Sequence, residues 1–224
     1  MIILAIETTG SVGSIAISKD EKIVYHDYLS YKYTQTESIL HRIDNILKLI
    51  MIKKSELSVI TVSIGPGSFT GCRVGLATAK GICEGLQIPL VPLNSLEILA
   101  ANVYGSDRKI LSLIDAKINQ AYLAVYDTFL NPEIEPKCVY YEDIKQHLGN
   151  NFICVGDYHL ISSNSNPAIK KAMMHQNILS ASAMLGLLIK KSNNYTYDKD
   201  FISSLVPLYL RDIFINKQES LPSD

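Results

Sequence analysis

Two carboxylates and one glycine-rich loop have the residue types and spacing that could do chemistry. Glu7 ends the apolar run "IILAI", and Asp115 ends a similar run, "ILSLI". Between them lies "SIGPGSFTGCRVG", Ser63 to Gly75, in which Gly65, Gly67, Gly71 and Gly75 surround one Phe and one Arg. A glycine-rich turn that feeds a helix can cradle phosphate, because its amides and the helix dipole both favour an anion. With two carboxylates across a cleft, such a loop would suit an ATP-binding ATPase or a phosphotransferase. The familiar phosphate motifs do not fit. Gly71 is followed by Cys72 and Arg73 where a P-loop needs Lys and then Ser or Thr, and Thr70 stands where a dinucleotide fingerprint needs its third glycine.

The loop still carries two signals beyond a tight turn. Thr70 is placed to cap the following helix. Arg73 falls in that helix's first turn, where the dipole disfavours a cation, so it should answer an anion. The anion is either a bound phosphate or a carboxylate across the cleft, and the ion pair to Glu7 or Asp115 is the preferred reading. The candidate cleft set is therefore Glu7, Thr8, Gly67, Ser68, Thr70, Arg73 and Asp115. Other chemistries lack their residues. The histidines (26, 41, 147, 159 and 175) include no pair at helical spacing for a metal, and Ser68 does not sit in a G-x-S-x-G elbow. The four cysteines show no C-x-x-C spacing and read as free thiols. No catalytic residue, metal site or cofactor is assigned.

The elements that must position these residues follow from apolar periodicity. "IILAIETT", "VGSIAIS" and "EKIVYHDYLSY" read as three consecutive strands, with the alternation of half-buried chains. A helix runs from about Thr36 to Lys53, then a buried strand "VITVSIG", the loop, a helix "CRVGLATAKGICEGLQ", a strand "IPLVPLN" and a helix opened by Ser95. The pattern restarts near Gly105. At an offset of 108 residues, Ile110 to Asp127 lies over Ile3 to Asp20, with Asp115 on Glu7 and Ala124 on Ala16. This reads as a duplicated α/β architecture: one half over 1–104, a second over 105–224, and the C-terminal segment packing back on the first half. Further on, "YEDIKQHL" and "SASAMLGLLIKKS" read as helices, Pro207 breaks "SSLVPLYLRD", and the last ten residues or so read as frayed.

Two helices of the first half carry more apolar and small residues than one buried face needs. The first has Ile39, Leu40, Ile43, Ile46, Leu47 and Ile50 on one side, and Leu49, Met51 and Ile52 besides. The second places Gly71, Gly75, Ala79 and Cys83 at four-residue spacing, a ridge suited to close approach by another helix. The expected interface with another chain is thus Ile39, Ile43, Ile46, Leu47, Ile50, Gly71, Gly75, Ala79 and Cys83. A net charge of −1 with no basic stripe leaves little for gripping nucleic acid directly, so any RNA role would run through a partner. With no membrane span or basic leader, the expected location is the cytoplasm.

Taken together, "IETT", "SIGPGSFTGCRVGLATAKGICEGLQIPL", "LNSLEILA", "IDAKINQAYLAVY" and "PLYLR" resemble the TsaB (YeaZ) family. These are bacterial tRNA threonylcarbamoyladenosine biosynthesis proteins, related to the glycoprotease-like TsaD. The stretch from Asn131 to Tyr195 adds little to the resemblance. It implies a duplicated actin-like, sugar-kinase-like (ASKHA) fold and a role in modifying the adenosine next to the anticodon. It also implies that the chain is a non-catalytic partner of a TsaD-type catalytic subunit, docking through Thr36–Lys53 and Gly71–Leu86. A TsaE-type ATPase and a TsaC-type enzyme complete the implied system, tRNA is contacted mainly through the complex, and a homodimer forms when the partner is absent. TsaD holds its metal with two histidines on the helix after the "IPL" strand, where this chain resembles it at Ser95 and Leu99. There are two departures: the family's first strand ends in Asp where this chain has Glu7, and its "HSE" reads Gln35-Thr36-Glu37.

Overall fold

Strict alternation along the first strand divides its side chains between two cores. Ile2, Leu4 and Ile6 point to one side and Ile3 and Ala5 to the other, and all are buried. This is how a strand buried on both faces reads as a continuous apolar run. The structure is a computed structural model, described here over residues 1–29, 39–149, 151–161, 169–191 and 195–211.

The first sheet contains β1 (Ile2–Glu7), β2 (Gly13–Lys19), β3 (Lys22–Leu29), β4 (Val59–Ser63) and β5 (Leu90–Leu93), in the order β3-β2-β1-β4-β5. The second contains β6 (Lys109–Lys117), β7 (Gln120–Tyr126), β8 (Pro132–Tyr140), β9 (Phe152–Gly156) and β10 (Ile169–Lys171), in the order β10-β9-β6-β7-β8. Read from the other edge, the second order repeats the first. The directions repeat as well: β1 and β6 each run antiparallel to the following strand and parallel to the third strand after it. The fold is a duplicated α/β fold, as the offset between Glu7 and Asp115 led us to expect, and of the actin-like kind that the family resemblance implies.

The layers explain which residues are buried. Helices α1 (Ile39–Leu49) and α2 (Phe69–Leu86) cover the outer face of the first sheet, enclosing Ile43, Ile46, Leu47, Leu76, Ala79 and Cys83 with Leu4, Ile6 and Val62. Between the sheets lie α3 (Ser95–Ala101) and α4 (Ala181–Lys191), whose Leu96, Leu99, Met184 and Leu188 meet Ile3, Ala5, Ile110 and Val155. Each half therefore contributes one helix to a shared middle layer. The outer face of the second sheet is covered by short 3-10 turns, Tyr141–His147 and Tyr158–Ile161, through Ile144 and Ile161. The first of these was expected as an α-helix from "YEDIKQHL".

The C-terminal segment returns to the first half. Helix α5 (Lys199–Ser204) buries Ile202 in the core beneath α2. The chain then runs extended over the end of β4, where the Leu208 amide donates to the Ile64 carbonyl at 2.8 Å, and Arg211 reaches the Ala116 carbonyl of the second half at 3.4 Å. Gln35-Thr36-Glu37, the first residues of the expected first helix and the frayed end lie outside the described residues.

Candidate functional site

The glycine loop and the β1–β2 turn are built against each other. The Ser68 amide donates to the Thr9 carbonyl at 2.8 Å, and the Thr8 hydroxyl donates to the Gly71 carbonyl at 2.7 Å. A Cβ at Gly67 would fall 2.4 Å from the Thr9 carbonyl oxygen, and one at Gly71 would fall 1.8 Å from that of Thr8. Any side chain at these positions would force the helix away from the turn. At Gly75 a Cβ would meet the Thr8 hydroxyl at 2.2 Å. The small residues thus let α2 lie directly on its own β1–β2 turn.

Four expectations change accordingly. The ridge Gly71-Gly75-Ala79-Cys83 faces the chain's own first sheet, not another chain. Ile39, Ile43, Ile46 and Leu47 are buried in the monomer's core, and Ile50 packs against it half-buried. Four-residue spacing marks a common helix face without saying what covers it. The outward apolar residues are instead Leu40, Leu49 and Met51 around α1, and Phe69 and Val74 on α2. Ser68, not Thr70, caps α2, accepting from the Gly71 amide at 3.2 Å, while Thr70 is exposed; likewise Asn94, not Ser95, caps α3. Arg73 pairs with neither carboxylate. Two positions along a helix from Gly71 is about 200° of rotation, so Arg73 points outward, its guanidinium 3.7 Å from the Phe69 ring centroid and its Nε donating to Tyr209 at 3.2 Å.

Glu7 sits beneath the turn with no solvent exposure. Its Oε1 accepts from the Thr9 amide at 2.6 Å, the Thr9 hydroxyl at 2.7 Å and the Gly10 amide at 3.1 Å. Its Oε2 is buried with no hydrogen-bond partner among the described residues. The Thr9 hydroxyl continues to Ser63 at 3.0 Å and Ser95 at 2.8 Å, and these two are 2.9 Å apart. This closed network ties the ends of β1 and β4 to the start of α3. Burial pushes the Glu7 carboxyl above its ordinary value, and the Thr9 and Gly10 hydrogen bonds only partly oppose that. With three donors already on Oε1, the proton of the neutral form belongs on Oε2. Burial, with a contribution from Glu7, also raises the Cys72 thiol to about 11, so Cys72 is an inert thiol.

Asp115 occupies the matching place in the second half, and it also accepts from the amide two residues on, Lys117 N at 2.7 Å. Its surroundings differ. The hairpin after it turns through Ile118 and Asn119, both at positive φ, and leaves no room for a wider loop. Lys117 Nζ forms an ion pair with Asp115, and Tyr141 donates to it at 2.7 Å. Burial raises the Asp115 carboxyl, but these hydrogen bonds outweigh it and hold it at about 2. A general base works best with its pKa near the operating pH. At about 2, Asp115 is an anion and not a base near neutral pH, and Glu7 is enclosed beneath the turn.

Between the halves is a cleft of about 410 Å³, bounded on one side by Thr9–Val12, Gly67 and Ser68, and on the other by Asp115, Lys117, Asp157 and His159. Leu99, Leu113 and Leu179 contribute apolar lining. Asp157 accepts from the Asp115 amide at 2.7 Å and lies 4.0 Å from His159. Asn177 pins the cleft wall, accepting from the Gly156 amide at 2.9 Å. Sequence reasoning singled out Glu7, Thr8, Gly67, Ser68 and Asp115 but missed Thr9, Ser63, Asp157 and Asn177. Thr9 and Ser63 had a local signal, as polar residues in or next to continuous apolar strands; Asp157 and Asn177 had none.

Residues 34–205 match the family described as "TsaD: tRNA N6-adenosine threonylcarbamoyltransferase". A tRNA threonylcarbamoyladenosine biosynthesis protein TsaB from Buchnera aphidicola is 33% identical over 165 residues, covering 70% of this chain and 78% of the relative. The chain belongs to the TsaB (YeaZ) family. A TsaB from Bacillus subtilis is 34% identical over 127 residues, a match spanning 56% of this chain and 55% of that relative. The chain thus aligns with only about half the length of some TsaB relatives. In fold it is similar to a YeaZ-like protein of Pseudomonas aeruginosa, with TM-score 0.75, 18% identity and coverage of 94% of this chain and 99% of that one. Ser95 and Leu99, which the resemblance aligned with TsaD's metal-binding histidines, lie one turn apart on α3. Ser95 is bonded to Thr9 and Ser63, and Leu99 lines the cleft.

Proposed function

We infer that this chain is a non-catalytic subunit in the formation of tRNA threonylcarbamoyladenosine, and that it acts by docking to and activating a TsaD-type catalytic subunit. Its relatives from Bacillus subtilis and Buchnera aphidicola are tRNA threonylcarbamoyladenosine biosynthesis proteins, which supports the pathway. The observation that carries docking is Met51. It follows α1 in the left-handed region, at φ 55°, and is 90% exposed. A left-handed residue with a side chain costs about 1–2 kcal/mol where glycine costs little. Met51 returns no burial to the monomer for that cost. Beside it stands Leu49, 72% exposed, with Leu40, Phe69 and Val74 also outside the core. The interface set is therefore Leu40, Leu49, Met51, Phe69 and Val74, over a framework of Ile39, Ile43, Ile46, Leu47, Ile50, Gly71, Gly75, Ala79 and Cys83 that holds both helices in place.

The same surface would serve a homodimer when the partner is absent, and a TsaE-type ATPase would join the assembled pair. The halves 1–104 and 105–224 act as one body through the shared α3–α4 layer. The described residues include no helix long and apolar enough to cross a membrane, which fits work on a soluble substrate such as tRNA. The experiment is co-purification of a TsaD-type partner with wild type and with Leu49→Asp. The charge should abolish the pair while leaving the fold intact, and undiminished pairing would refute the docking surface.

A further inference from the structure

We propose that Arg73, held between Phe69 on α2 and Tyr209 on the C-terminal segment, is a preset clamp for a carboxylate side chain of the TsaD-type partner. This rests on the docking reading above and names the chemistry that the partner must bring to the surface. The guanidinium lies 3.7 Å from the Phe69 ring centroid, and its Nε donates to the Tyr209 hydroxyl at 3.2 Å. The two ring centroids are 5.7 Å apart. Tyr209 is fixed in turn, because the neighbouring Leu208 amide donates to the Ile64 carbonyl at 2.8 Å. An arginine has five N–H donors on a long side chain, and it ordinarily loses rotamer freedom on binding. Here Nε is engaged, and a ring sets the plane of the group, before any partner arrives.

The charge of Arg73 is unanswered within the chain. Arg42 pairs with Asp27, and Arg108 with Asp107, whereas Arg211 donates to the Ala116 carbonyl. Among the described residues no carboxylate pairs with Arg73, and Tyr209 is its one hydrogen-bond acceptor. With Nε taken, Nη1 and Nη2 remain, the end-on pair that matches both oxygens of one carboxylate. A phosphate would accept from the same fork, but the two segments that hold it are otherwise apolar on the outside. Val74 and Val206 are exposed, and Phe69 and Tyr209 are each about half exposed. One arginine among aromatic and aliphatic side chains has the composition of the centre of a protein interface. A net charge of −1 supplies few further cations for a nucleic-acid backbone.

The test is calorimetric titration of the full chain with the TsaD-type subunit, without tRNA, at about 0.05 M and about 0.5 M sodium chloride. Loss of a charge-assisted pair lowers affinity about tenfold or more. Arg73→Gln should show that drop at the lower salt, and its affinity should change less with salt than that of wild type. Arg73→Lys keeps the charge without the fork and should recover only part of the loss. Tyr209→Phe keeps the ring and frees Nε, so it should weaken pairing less than Arg73→Gln and retain the wild-type salt response, the mark of a positioning residue. Wild-type affinity and salt response in Arg73→Gln overturn the clamp. Leu49→Asp, titrated alongside, separates this from the docking reading. Pairing lost there but intact in Arg73→Gln keeps the surface and removes the clamp, whereas undiminished pairing in both refutes the surface as well. An Arg73→Gln chain that pairs normally but weakens tRNA binding by the assembled pair assigns the arginine to a phosphate and likewise overturns the proposal.

Discussion

Replacing Gly71 with alanine tests whether the glycine loop is an interlock or a ligand cradle. The added Cβ would lie 1.8 Å from the Thr8 carbonyl oxygen and 2.9 Å from its carbon. Relief requires α2 and the β1–β2 turn to part by more than an ångström. That loosens two hydrogen bonds, Thr8 hydroxyl to Gly71 carbonyl at 2.7 Å and Ser68 amide to Thr9 carbonyl at 2.8 Å. Two such bonds contribute about 1–3 kcal/mol together, and forcing an atom into a packed contact costs about 1–3 kcal/mol more. Better helix propensity returns about 1 kcal/mol, so the net loss should be about 1–5 kcal/mol. Gly81, on the same helix, is the control, because a Cβ there meets nothing within 4 Å. Gly81→Ala should stabilise by up to about 1 kcal/mol. Urea unfolding of both variants reads the difference directly. If the two substitutions shift the midpoint alike, α2 is not clamped on the turn and the reasoning fails.

Three further outcomes follow from individual side chains. Glu7 has its carboxyl raised by burial from an ordinary 4.5, so its contribution is complete below that pH and is lost as the pH rises through the folded value. The stability of wild type relative to Glu7→Gln should therefore fall as the pH climbs above 4.5; a flat or rising difference contradicts the burial argument. Asp115 is the opposite case: its carboxyl is lowered from 3.8 to about 2, so its contribution is present above 3.8 and lost as the pH falls through about 2. Relative to Asp115→Asn, wild type should lose its advantage across that acid window, which pH-dependent urea titrations would check. Leu47→Ala should destabilise by about 2–5 kcal/mol, as expected of a buried leucine, whereas Leu49→Asp should stay within about 0.5 kcal/mol of wild type by the same measurement.

The fold was legible where periodicity and punctuation were strong. The duplication showed in the offset that laid Asp115 on Glu7, and the structure gives both carboxylates the same capture of the amide two residues on. What the sequence could not show was what covers each face. Gly71, Gly75, Ala79 and Cys83 share one side of a helix whether a sheet or another protein lies there. Leu40 has the spacing of a core residue but is exposed. Arg73 was matched to a carboxylate because the chemistry of the pair is favourable, yet its position on the helix turns it to Phe69 and to Tyr209, which is 136 residues away. Contacts at that separation leave no local pattern. The weak signal after Asp127 also has a structural reason: the second sheet's outer face is covered by short 3-10 segments of seven and four residues, which do not follow the 3.6-residue repeat of an amphipathic α-helix.

Docking through the outer residues of α1 and α2, with no chemistry contributed by the cleft, is tested most directly by substituting Met51 with glycine. The side chain is exposed and its backbone is left-handed, so the isolated chain should become more stable by about 1 kcal/mol. Affinity for a TsaD-type partner and the yield of modified tRNA in a reconstituted reaction should both drop. A variant that is stabilised and still pairs and supports modification at the wild-type level would contradict docking by this surface, as would full modification with the chain left out.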